Sequence, residues 1–213
     1  ARRLLRRNRG EHNAREIAYR ESETYGLINL SAYSCALGDH AAALDAAQQG
    51  LSLAREAQNR NAESWALTYQ GHVLLALARS AEAAASYLAA LEIRREKGQQ
   101  TLATEPYAGL ARLALHQNDL AAARAWVEPI LAHLEAGNTL DGTDEPLRVY
   151  LTCYRVLRAL NHERAASILK TAHDLLLSRA NNIRDEALRR SFLENIPYHR
   201  EILAAWEADQ EKR

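Results

Sequence analysis

Apolar and small side chains fall along this chain at the spacing of one helix face, and whole segments of that pattern then return at a fixed interval. The stretches LINLSAYSCALGDHAAALDAAQQGLSLA from Leu27, LTYQGHVLLALARSAEAAASYLAALEIR from Leu67 and YAGLARLALHQNDLAAARAWVEPILAHL from Tyr107 align without a gap at a period of 40 residues. Self-similarity at such a period marks a chain built of stacked units. In this alignment small residues coincide at Ser31, Gly71 and Ala111, and alanines at Ala43, Ala83 and Ala123. Gly38, Ala78 and Asn118 stand between the two sets, the first and last suited to the left-handed backbone that ends a helix. Each unit is therefore predicted to be a helical hairpin held close by its small residues. Leu51, Leu91 and Leu131 fill the space to the next hairpin, so that neighbours complete each other's core.

The units predicted are 21–60, 61–100 and 101–137, then a loop over 138–146 that opens after Gly137, then a fourth unit over 147–180. The fourth slips by about two residues: with Ala165 set against Ala123, Cys153 falls in its first helix and Leu169 and Ala172 in its second. Residues 1–20 read as part of a preceding repeat, the stretch before Tyr25 being the tail of an earlier second helix. Residues 181–213 read as capping helices, Ile183 to Asn195 and Tyr198 to Asp209, parted at Pro197. Pro129 falls inside a predicted helix, where proline costs about 3 kcal/mol, and is expected to kink or break it.

These hairpins resemble the tetratricopeptide repeat. The resemblance rests on Ser31, Gly71 and Ala111, on Ala43, Ala83 and Ala123, on the bulkier Tyr87 and Val127, and on the Gly38-Asp39 turn. It covers residues 20 to 180. The period exceeds the family's usual length of about 34, and the proline that closes each family unit is missing. The resemblance implies an all-α fold, a right-handed superhelical solenoid of antiparallel hairpins with about eleven helices in one domain. Elongated repeats of this kind are similar to those that follow the ATPase or transcription-factor domain of bacterial signalling proteins. The stretch ALRRSFLENIPYHREILAAW, residues 187–206, is similar to the segment closing many of those arrays.

Composition agrees with helix, since alanine and leucine dominate and Gly and Pro are few among the 213 residues. With 27 basic and 27 acidic residues the chain has no overall field to draw it to nucleic acid or an anionic membrane. Arg2, Arg3, Arg6, Arg7, Arg9, Arg15 and Arg20 crowd the start; a solvated helix face is the reading preferred over a nucleic-acid arm. Cys35 and Cys153 lie far apart in apolar helical contexts, with neither a disulfide framework nor zinc spacing, which fits reduced cytoplasmic thiols. No apolar run reaches the roughly 18 residues of a membrane span. The lack of any Met suggests a piece of a longer protein.

Chemistry is sought without success. There is no phosphate-binding loop, and His162-Glu163-Arg164-Ala165-Ala166 lacks the second His of a zinc-binding helix, so neither cofactor nor metal is expected. His72 and His116 sit on neighbouring first helices and are read as surface or groove histidines rather than an acid-base pair. The expectation is a non-enzyme that binds a protein or peptide, or another domain of its own full-length protein. Its concave groove is expected to be lined by Tyr25, Ile28, Asn29, Ala32, Trp65, Thr68, Tyr69, His72, Ala108, Arg112, Tyr150, Tyr154 and Arg158. Tyr69 and Tyr150 are equally readable as packing between hairpins. A lysine-arginine-asparagine clamp for a peptide carboxylate is not expected, because only Asn29 of the positions Asn29, Tyr69 and Gly109 has a suitable type. The alternative function is homodimerisation through the closing helices, with Phe192, Ile202 and Trp206.

Overall fold

The computed structural model describes the backbone of residues 2–211 and the side chains of residues 19–211. Ten helices and no strand lie among them: α1 (Arg2–Ala36), α2 (His40–Glu56), α3 (Arg60–Ala76), α4 (Ser80–Glu96), α5 (Gln100–His116), α6 (Leu120–Glu135), α7 (Pro146–Ala159), α8 (Ala165–Asn181), α9 (Glu186–Glu194) and α10 (Pro197–Gln210). The chain divides into two compact units, Ala1–Lys97 and Gly98–Arg213. In the first, α1 packs on α2 and α3 on α4, while α3 also lies against α1 and α2. In the second, α5 packs on α6 and α7 on α8; α7 also lies against α5 and α6, and α10 against α7, α8 and α9. Within each unit the architecture is the expected one of helical hairpins stacked as in a solenoid.

The helices stop for a reason that recurs every 20 residues. Gly38, Gln58, Ala78, Gly98 and Asn118 all have positive φ. At four of these turns the next residue, Asp39, Asn59, Arg79 or Asp119, donates its N–H to a carbonyl five residues back, at 2.8–2.9 Å, closing the preceding helix. That same residue begins the following helix. Asp39, Asn59 and Asp119 accept the N–H of Ala42, Ala62 and Ala122 at 2.9–3.1 Å, satisfying a donor that the helix cannot pair internally. One three-residue turn thus both ends a helix and starts the next, and so short a link makes the two helices antiparallel neighbours.

Ser31 and Ala111 on the first helices, and Ala43, Ala83 and Ala123 on the second, are wholly buried. Gly71 shows how close the helices come: a Cβ there would lie 2.5 Å from the ring of Tyr87. Cys153, Leu169 and Ala172 are likewise wholly buried in the second unit.

Three expectations need correction or restriction. Among the described residues there are ten helices rather than the eleven expected, because α1 runs without interruption from Tyr19 through Tyr25 to Ala36; no Gly or Pro between Tyr19 and Tyr25 ends a helix there. The half-hairpin expected over residues 1–18 lies outside the residues whose side chains are described. Pro129 does not break α6, which spans Leu120–Glu135 with Pro129 inside it. Pro129 and Ala125, whose carbonyl loses its amide partner, are both solvent-exposed, so water can satisfy the group. Pro197 stands where the two closing helices part: α9 stops at Glu194 and Pro197 is the first residue of α10, a position where the missing N–H costs nothing.

Candidate functional site

The residues expected to line a groove meet different fates. In the first unit, Tyr25 of α1 and Trp65 of α3 pack edge to face, their ring centroids 5.6 Å apart, and the guanidinium of Arg94 from α4 sits 5.4 Å from the Trp65 ring. Asn29, one turn beyond Tyr25, is exposed; Ala32 is half-buried and Ile28 buried. Thr68, Tyr69 and His72 are buried. The Thr68 hydroxyl donates to the Ser64 carbonyl at 2.9 Å, the Tyr69 ring stands edge-on to His72, and His72 Nδ1 is 2.7 Å from the Tyr87 hydroxyl. His72 is therefore held in a buried polar contact, and His116 is exposed at the end of α5.

In the second unit Ala108, Arg112 and Tyr150 are buried, and Arg112 donates to the Thr152 hydroxyl at 3.2 Å. Burial, with the nearby Cys153 and Asp141, raises the pKa of the Tyr150 phenol. Burial also pushes the Cys153 thiol up to about 12, which keeps it protonated and poorly nucleophilic near neutrality. Among the described residues no group of three His, Cys, Asp or Glu is placed to hold a metal ion, and no helix is long and apolar enough to cross a membrane.

Tyr154 and Arg158 are different, because they open onto a cavity. Tyr154, Arg155, Arg158 and Ala159 of α7 face Glu201, Ala204, Ala205 and Ala208 of α10 across an open cleft of about 570 Å³. The spacing of both sets has a helical cause. Residues i, i+1 and i+4 share one stripe, and α7 puts Tyr154, Arg155 and Arg158 on that stripe where α10 puts three alanines. Large side chains opposite small ones leave the gap. At one end Arg155 forks onto Glu201, Nε to Oε1 at 2.6 Å and Nη2 to Oε2, which pairs those two charges. Towards the other, Arg158 Nη1 donates to the Tyr154 hydroxyl at 3.0 Å, and its guanidinium lies 5.8 Å from the centre of that ring.

Sequence reasoning named Tyr154 and Arg158 on α7, as part of a groove, and missed Arg155, Ala159 and the α10 side of this cleft. The signal was present as the alanines at 204, 205 and 208 and as a glutamate without a basic partner one helical turn away on α10. What joins them to α7 is a contact between residues 46 apart in sequence. Arg94 was also missed, since a charged residue near a helix end reads as exposed, whereas here it is buried beside Trp65.

No protein-family model matches this sequence, and no curated protein matches it. Among solved structures the chain is similar to that of BtubC (BKLC) from P. vanneervenii, with 16% sequence identity over 91% of this chain and 85% of that one and a TM-score of 0.48. A likeness of this degree carries nothing about activity or partners.

Proposed function

We propose that this chain is a binding module of the tetratricopeptide type that engages a peptide or a segment of a partner protein, with the cleft between α7 and α10 as its receptor site. The observation that carries the reading is the cleft itself. It is open, about 570 Å³, of the size that admits a few side chains, and it combines an apolar alanine wall with an aromatic ring and a guanidinium. Tyrosine and arginine are the residue types that most often dominate interface energetics. The resemblance of residues 187–206 to the closing segment of bacterial signalling arrays supports the further reading that the module serves as the sensor or scaffold part of a larger cytoplasmic regulator.

The test is a selection of displayed peptides on the wild-type chain, on an Arg158→Gln, Ala204→Leu variant that fills and neutralises the cleft, and on Trp65→Ala. Peptides enriched on the wild type and on Trp65→Ala but lost on the cleft variant are expected. The same peptides recovered from the cleft variant would remove the cleft from consideration.

A second reading, self-association, is favoured by a separate observation. Leu30, Tyr33 and Leu37 of α1 are 51%, 67% and 86% exposed, whereas Val73, which occupies the place of Tyr33 one repeat later, is wholly buried. The closing helices offer less: Ile202 is buried, Phe192 packs on His199 and Trp206 stacks on His173, centroids 4.4 and 4.5 Å apart. A dimer whose dissociation midpoint in sedimentation equilibrium moves with Tyr33→Lys would support it, and a monomer at all concentrations would exclude it.

A further inference from the structure

We propose that the α7–α10 cleft binds a carboxylate of its peptide ligand, with the Arg158 guanidinium and the Tyr154 hydroxyl as its donors. The inference rests on the reading of this cleft as the receptor site and adds the chemistry of what enters it.

Charge accounting comes first. Three charged groups line the cleft, and Arg155 and Glu201 neutralise each other through a two-point fork. Among the described residues Arg158 has no ion-pair partner, and its hydrogen bond goes to the Tyr154 hydroxyl. The cleft therefore carries one uncompensated positive charge, which favours an anion of charge one over a neutral ligand and over the polyanionic backbone of a nucleic acid.

Donor accounting points the same way. A guanidinium has five N–H donors and no acceptor, and a phenol has one donor. The Tyr154 oxygen is occupied as acceptor by Arg158 Nη1, so its own proton is left for another group. No acceptor for that proton occurs among the described residues, although Tyr154 is only 6% exposed. Two adjacent groups with unused donors, one of them on a buried side chain, match a group that only accepts. An ionised carboxylate is such a group, and a guanidinium meets it with two parallel bonds.

The support is rigid. Tyr154 is embedded in the core of the second unit and places its ring beneath the guanidinium, so Arg158 gives up less side-chain freedom on binding than an unsupported arginine would. The alanines at 204, 205 and 208 leave room beside that pair for the chain bearing the carboxylate. This geometry is built between the fourth hairpin and α10, and it uses none of the clamp positions Asn29, Tyr69 and Gly109.

A carboxylate can come from an acidic side chain or from a chain terminus, and three tetrapeptides separate the sources. One is acetylated and amidated leucine-glutamate-glutamate-leucine; the second has glutamine for glutamate; the third is the glutamine peptide with a free C-terminus. Each is titrated into the full chain and followed by the amide resonances of Ala204, Ala205 and Ala208 and the Arg158 Nε–H. At least one carboxylate peptide is expected to bind about tenfold more tightly than the neutral one, the tighter of the two naming the source. Arg158→Gln should abolish that preference and Tyr154→Phe should reduce it, while Ala204→Leu should weaken all three peptides alike. Equal binding of the neutral peptide at the same resonances would overturn the carboxylate inference and leave the cleft as a receptor site. Failure of all three to move those resonances would overturn both.

Discussion

At the scale of single residues, the hairpins are tuned by exchanges of volume between the two helices. Gly71 is buried against Tyr87, and the corresponding pairs one repeat away in each direction are Ser31 with Ala47 and Ala111 with Val127. Where the second helix carries a ring the first carries no Cβ; where it carries a smaller side chain the first can have one. A Gly71→Ala substitution would bring its Cβ to 2.5 Å from a ring that also holds His72 at 2.7 Å, leaving the ring little room to yield. The expected loss is about 1–3 kcal/mol in urea unfolding. Combining it with Tyr87→Val should give less loss than the sum of the two single changes, and simple additivity would show that the ring is not the cause. Ala78 illustrates the opposite situation. It sits at φ 58°, where an L-residue with a Cβ is strained, and Ala78→Gly is expected to add about 0.5–1 kcal/mol. Unchanged or reduced stability would mean that the flexibility of glycine in the unfolded chain offsets the relief.

At the scale of elements, the turns decide helix length. The paired signals of a left-handed residue followed by an Asx cap were legible at Gly38-Asp39 and Asn118-Asp119, where the residue types announce their roles. They were not legible at Gln58, which adopts φ 52° despite an unremarkable side chain, because the helices on either side impose the turn. The α4 helix begins at Arg79 without a side-chain cap, although its turn is otherwise like those that start α2, α3 and α6. Arg79→Asp should supply the missing acceptor and raise stability by about 1 kcal/mol, the lost Arg79–Glu82 pair being exposed and worth little. Thermal unfolding decides it; a lower Tm for the variant would show that the ion pair matters more than the cap. The α7 helix is capped in another way. The N–H groups of Asp144 and Glu145 donate to Glu105 Oε1 at 2.5 and 3.0 Å, so a side chain of α5 anchors the loop that leads into α7.

At the scale of the whole molecule, that anchor makes stability depend on pH. Burial is the main cause that raises the Glu105 pKa to about 7, with the neighbouring Asp144 and Glu145 carboxylates adding to it. In the unfolded chain the group titrates near 4.5, so between the two values the folded protein holds a proton that the unfolded chain has released. The contribution is then full below about pH 4.5 and is lost as pH rises through 7, an order of 3 kcal/mol for that interval. His199 acts in the opposite sense: burial lowers its pKa, so stability is lost as pH falls below the ordinary histidine range. Comparing the wild type with Glu105→Gln, which keeps the Oε1 acceptor and cannot ionise, cancels the His199 part. The difference in unfolding free energy is expected to favour the variant progressively from pH 5 to pH 8. A constant difference over that range would rule out Glu105 as the titrating group.

The all-helical class, the hairpin repeat of 40 residues and the buried small positions were determined by the sequence alone, because each depends on residues close along the chain or on a pattern that repeats. Backbone propensity, turn chemistry and the pairing of small with large side chains act within about one hairpin. Tertiary structure alone decided that Thr68, Tyr69, His72, Arg112 and Tyr150 are buried, that Arg94 lies beneath Trp65, and that Tyr154 and Arg158 open onto a cleft whose other wall is α10. Whether a side chain on a helix meets solvent or a neighbour depends on which distant helix covers that face, and nothing in the local spacing of residues encodes that choice.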